Sequence, residues 1–202
     1  MAPKGSVKRA TRAMGTLITL LKIRMFIARS WALSWCLYRL HGVRLMGPPG
    51  EYIWYFAYGS NMHDSVFRGW RNMSPLEWRP GRMRGYRLRF NLDGWPRGKA
   101  APANLHAEPQ AEVWGVLWRI TRRDLVRLDA SEGIPWWHYR PVWMDAEDAE
   151  GNTLPVVTYV AQGNQYDRAP SLRCITLMRE GARTHGLPAS YLRFLERVEH
   201  AR

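Results

Sequence analysis

Residues 53–58, Ile-Trp-Tyr-Phe-Ala-Tyr, are apolar almost without interruption and stop at Gly59-Ser60-Asn61. A short apolar run closed by turn-forming residues reads as a buried strand. Beyond it, Met62, Val66, Phe67 and Trp70 recur at helical spacing, which predicts a helix over 62–69. The segment is therefore strand, tight turn, helix. Such a junction can leave backbone N–H groups free at the helix start. A plain Asn or Ser helix cap fits the same residues, and locally both readings stay open. Further strands are predicted at 84–92, 113–120, 138–145 and 155–161 from Val, Ile, Trp and Tyr content. Asp93-Gly94-Trp95-Pro96 and Glu150-Gly151-Asn152 supply turns. Helices are predicted at 122–130, 171–184 and 188–199. In the first, Leu125 and Leu128 share a face before the stop at Gly133; the second ends at Gly186. The strands come mostly before the helices, with no βα alternation. That order predicts an α+β fold with an antiparallel or mixed sheet.

Residues 1–50 stand apart. They carry nine Lys or Arg and no acid, and they end in the breaker Gly47-Pro48-Pro49-Gly50. The net charge of +13 falls mainly on this leader; residues 51–202 hold 21 basic and 17 acidic side chains. Uncharged runs in the leader reach nine residues, short of the roughly 20 that span a bilayer, so stable membrane insertion is not expected. An amphipathic targeting segment is one reading. An over-extended frame with the natural start at Met46 is the other, and the preferred one. The body, 51–202, is expected to be one domain. Its Arg82, Arg84, Arg87 and Arg89 cluster, but on a regular strand 82 and 84 face away from 87 and 89. A nucleic-acid binder needs a basic face, so no nucleic-acid partner is expected. Eleven tryptophans point to aromatic side chains on a pocket wall or a partly exposed sheet.

Candidate chemistry is sparse. Cys36 and Cys174 form no paired motif and the six histidines are scattered, so no metal site is expected. Ser60 lacks a nucleophile-elbow context. Cys174 is expected mid-helix in 171–184 and reads first as a core residue. Glu132, in "LDASEGIPWWHYR", is the stronger candidate. An acid among Ile134, Pro135, Trp136 and Trp137 would have its pKa raised by desolvation and could trade a proton near neutral pH. A solvated loop carboxylate fits the local sequence equally well. Asp124 and Asp129, on the helix before it, are expected to be exposed.

Three segments in order, "YFAYGSNM", "VWGVLWRI" followed by "DLVRLDASEG", and "GARTHGLPASYLRFL", together resemble the γ-glutamylcyclotransferase family and its AIG2-like relatives. The resemblance runs over 55–195 and omits the leader. It implies a small mixed β-barrel with helices packed outside. It also implies cyclisation of a γ-glutamyl group to 5-oxoproline, with release of an amine or amino acid. No metal, cofactor or covalent enzyme intermediate is implied. Glu132 would be the catalytic acid/base. The segment Tyr55, Phe56, Ala57, Tyr58, Gly59, Ser60 and Asn61 would bind the γ-glutamyl group, with backbone N–H groups on its oxygens. The family usually carries a substrate-holding Tyr near the start of the first late helix, where this chain has Cys174. Tyr139 could supply a hydroxyl instead, or could simply pack on the sheet. The implied partner is a small γ-glutamyl compound, with the leaving group open. Monomer and homodimer are both open. The expected location is cytoplasmic, with organelle targeting by the leader as the alternative. A non-catalytic ligand-binding module on the same barrel is the competing reading.

Overall fold

The computed structural model describes residues 52–93, 100–132 and 139–201. The leader, the turn centred on Gly94, Cys36, Trp136 and Trp137 lie outside that set. Five strands close a barrel: β1 (Tyr52–Ala57), β2 (Glu77–Arg89), β3 (Asn104–Thr121), β4 (Arg140–Asp148) and β5 (Thr153–Val160). Their order around it is β1-β3-β2-β4-β5. β1 pairs antiparallel with β3 and parallel with β5, so the sheet is mixed. Among the described residues three α-helices accompany the barrel: α1 (Arg122–Ser131), α2 (Leu172–Thr184) and α3 (Ala189–Arg197). The predicted α+β class and mixed barrel are what the structure has.

β1 is continuously apolar because both of its faces are covered. Tyr55, Phe56, Ala57 and Tyr58 are all buried, on alternating sides. Gly115 of β3 lets the two strands close up: a Cβ there would sit 2.3 Å from the Ala57 carbonyl oxygen. The Asp148 side chain organises the β4–β5 turn by accepting from the backbone N–H groups of Glu150 and Asn152.

The predicted helix over 62–69 is instead two tight pieces, a 3₁₀ turn at Ser60–Met62 and a π-helical turn at Ser65–Trp70. α2 packs directly on the first of them. A Cβ on Gly181 would lie 2.7 Å from the Met62 carbonyl carbon, so glycine permits this approach. β3 begins nine residues before its predicted start. In the added stretch, 104–112, Asn104 and Leu105 are buried, but residues 106–112 are exposed or half-buried around a break in register with β2, where alternation has little core to report. A bulge between Arg84 and Tyr86, with Gly85 at φ +76°, reverses the facing of the residues beyond it. The arginines are therefore not split: Met83 and Leu88 point inward, while Arg82, Arg84, Arg87 and Arg89 lie outside. Each meets a carboxylate, of Glu147, Glu147, Glu108 and Asp167 respectively. Among the described residues no helix is long and apolar enough to cross a membrane.

Candidate active site

A pocket of about 160 Å³ opens at the end of β1. The aromatic end of β1, the turn after it, the C-terminus of α1 and the first turn of α2 converge there. Tyr55, Tyr58, Gly59, Ser60, Asn61, Glu132, Tyr139 and Cys174 all line it. Phe56 and Ala57, from the same expected set, do not. Both are fully buried in the core, because alternation along the strand turns Phe56 away and the approach of β3 covers Ala57.

Glu132 caps α1, and its backbone N–H donates to Leu128 O. Its side chain is only 10% exposed. Oε1 accepts from Asn61 Nδ2 at 2.8 Å and pairs with Arg71 Nη2 at 3.1 Å. No described residue bonds Oε2. The apolar surroundings expected around this acid are thus replaced, on one oxygen, by a cation and an amide. Asn61 joins the two halves of the site, since its Nδ2 also donates to the Tyr55 hydroxyl at 2.8 Å. Arg71 anchors its other arm on Ser131 Oγ, which in turn donates to Leu128 O. The Tyr55 phenol is held well above its usual range by burial and then by the nearby Glu132 charge, so it stays neutral.

The backbone N–H groups of Gly59, Ser60 and Asn61 make no turn or cap bond among the described residues. Gly59 is not required by backbone strain, since its φ is −112°. A Cβ there would meet only Ala103 Cβ, at 3.4 Å, and both residues border the pocket. Tyr139 donates its hydroxyl to Ala103 O at 2.7 Å. Cys174 is not mid-helix: it sits in the first turn of α2, where its N–H is capped by Ser171 Oγ. Burial pushes its thiol up to about 11, which makes it a wall and not a nucleophile.

The expectation that Asp124 and Asp129 are exposed is corrected; both are buried. Asp124 forms a cap with Thr121, each side chain serving the other residue. Asp129 accepts from the Tyr159 hydroxyl, and burial pushes its carboxyl up to about 7 despite that bond. Arg71, Tyr159 and Asp129 were missed as site residues. Asp129 was findable, because it precedes Glu132 by three residues and so shares its side of the helix. Arg71 and Tyr159 carry no local signal. None of the described tryptophans lines the pocket.

The AIG2-like family profile matches residues 112–195. γ-Glutamylcyclotransferase of Bos taurus is 31% identical over 162 residues, covering 77% of this chain and 83% of that one. The Homo sapiens γ-glutamylcyclotransferase is 30% identical over 159 residues, covering 76% and 82%. A solved γ-glutamyl cyclotransferase structure superposes with a TM-score of 0.69 at 27% identity, covering 75% of this chain and 90% of that one. The chain belongs to the γ-glutamylcyclotransferase family.

Proposed function

We propose that this protein cyclises the γ-glutamyl group of a small substrate to 5-oxoproline and releases the attached amine or amino acid. One observation carries the reading: Asn61, from the turn after β1, holds Oε1 of Glu132 at 2.8 Å and leaves Oε2 without a described partner. A carboxylate fixed by one oxygen keeps the other for proton transfer. Glu132 Oε2 takes a proton from the substrate's α-amino group. The freed nitrogen attacks its own γ-carbonyl carbon and closes a five-membered ring. Charge developing on the carbonyl oxygen is met by the N–H groups of Gly59 to Asn61, donors already fixed before the reaction. Glu132 then returns the proton to the leaving nitrogen as the C–N bond breaks. Free again, it takes the second proton from the ring nitrogen, leaving the neutral lactam, and passes it to the departing amine, which leaves as an ammonium. The nucleophile is tethered to its target, so the protein's task is orientation and proton shuttling. Arg71 and Asn61 keep Glu132 aimed, and Cys174 closes the wall.

The test is 5-oxoproline release from a panel of γ-glutamyl amino acids and amines, with Glu132→Gln alongside. Release by the native chain, reduced about 10²–10⁴-fold in the variant, is the expected result. Equal release by both would remove Glu132 from the mechanism. No release from any member would remove the reaction.

A further inference from the structure

Three phenols border the pocket with their hydrogens turned away into the protein. Tyr58 donates to the Tyr159 carbonyl oxygen, Tyr139 to the Ala103 carbonyl oxygen, and Tyr159 to Asp129 Oδ1. A hydroxyl whose hydrogen is committed presents only lone pairs elsewhere. The pocket is therefore rich in fixed acceptors, and one of them is backed by a carboxylate. Asp129 and Tyr159 are 6% and 2% exposed. Among the described residues no Lys, Arg or His forms an ion pair with Asp129; Arg71 is taken by Glu132. A buried carboxylate without a cation is costly unless something positive completes its surroundings.

We infer that Asp129 is a positioning residue for recognition of the substrate's α-ammonium: it fixes the Tyr159 hydroxyl so that the phenol oxygen accepts an N–H from that group. The inference rests on the γ-glutamyl reading and deepens it. Tyr159 and Glu132 border the same pocket, and the Tyr55 ring meets Tyr159 edge-on at a centroid distance of 5.8 Å, which locks the phenol's orientation. With one N–H held by Tyr159 and another proton removed by Glu132, the nitrogen lone pair is left to point at the γ-carbonyl. The site would then require a free α-amino group for binding as well as for chemistry.

Two ligands separate these roles: γ-glutamylanilide, and glutarylanilide, which lacks only the amine. Binding of each is measured by calorimetry on the Glu132→Gln chain, which does not turn the first one over, then with Asp129→Asn or Tyr159→Phe added. The expected result is a preference for the amine-bearing ligand of about tenfold or more, the usual worth of a charge-assisted hydrogen bond. Either added substitution should bring the preference towards one. Asp129→Asn keeps an acceptor for the phenol and removes only the charge, and Tyr159→Phe covers the case in which it fails to fold. No preference at the outset, a preference retained in both variants, or parallel weakening of both ligands would overturn the inference. Failure of the reaction reading would look different: the native chain would release no 5-oxoproline whatever the ligand preference.

Discussion

Two arginine–glutamate arrangements lie in different surroundings on this barrel, one on its outer face and one at the pocket. On the outer face, Glu147 is bound on both oxygens, Oε2 by Arg82 and Oε1 by Arg84. Those hydrogen bonds, Arg84's foremost, hold its carboxyl below the usual range. At the pocket, Glu132 is bound by Arg71 and Asn61 on one oxygen only, with side-chain exposures of 10% for the acid and 17% for the arginine. The residue types are the same and the consequences differ. A carboxylate saturated by guanidiniums in water is a solvated surface feature whose pairing contributes little. A half-saturated one, withdrawn from water beside a pocket, has a fixed direction and an oxygen to spare. Occupancy and burial, not pairing as such, separate these two acids.

That contrast can be broken in several places. The largest effect belongs to Glu132→Gln, whose loss of turnover is described above. Next comes Arg71→Met. It removes the cation that fixes Glu132 Oε1, so kcat/KM should fall by about tenfold or more, the usual worth of a hydrogen bond to a charged group. Arg71→Lys should recover part of that loss, and unchanged kinetics in the methionine variant would show that Arg71 only packs. Gly181→Ala then tests how the site is positioned. The new methyl meets the Met62 backbone, which cannot move like a side-chain tip, and overpacking of this kind costs about 1–3 kcal/mol. Denaturant unfolding reads that cost, and turnover should fall with it as the turn is pushed off α2.

Asp129→Asn has a pH signature in stability. The folded-state pKa of about 7 lies above the unfolded value of about 3.9. The folded protein therefore binds this proton more tightly, and this group's contribution to stability is greatest below about pH 4. That contribution declines as pH rises to about 7 and is flat beyond it. The variant lacks this decline, so its stability relative to the native chain should rise between pH 4 and pH 7, by at most about 4 kcal/mol. Urea titrations across that range check the sign. Smallest of all is Arg84→Met on the outer face. Melting temperature and 5-oxoproline release should both stay at native levels, and a marked fall in release would overturn the division between the two faces.

Much of this architecture was legible from the chain alone. The apolar run of β1 and its stop at Gly59-Ser60-Asn61 fixed the strand and the turn, because burial on both faces leaves an unbroken apolar signature. The helix over 171–184 was read nearly to its ends, and Gly186, at φ +65°, ends it as a left-handed stop should. Glu132 stood out only as one of two readings, and the family resemblance decided between them. The start of β3 was illegible, because after Leu105 the strand runs along the surface past a break in register and leaves no hydrophobic alternation. The facing of the arginines was misjudged for a related reason. The break in register at Gly85 inverts the facing of β2 beyond it, and parity counted along a sequence cannot see such a break.

The sequence by itself determined most of the strands and helices, their order and the position of an acid at the end of α1, since these follow from local periodicity and from turn and cap chemistry. Only the tertiary structure decided the company that acid keeps. Asn61, Arg71 and Tyr159 come from segments distant from α1, and barrel closure brings them to one pocket; Tyr159 in turn reaches Asp129, which burial has taken out of water. Contacts between distant segments depend on the geometry of the closed fold, which no local pattern encodes.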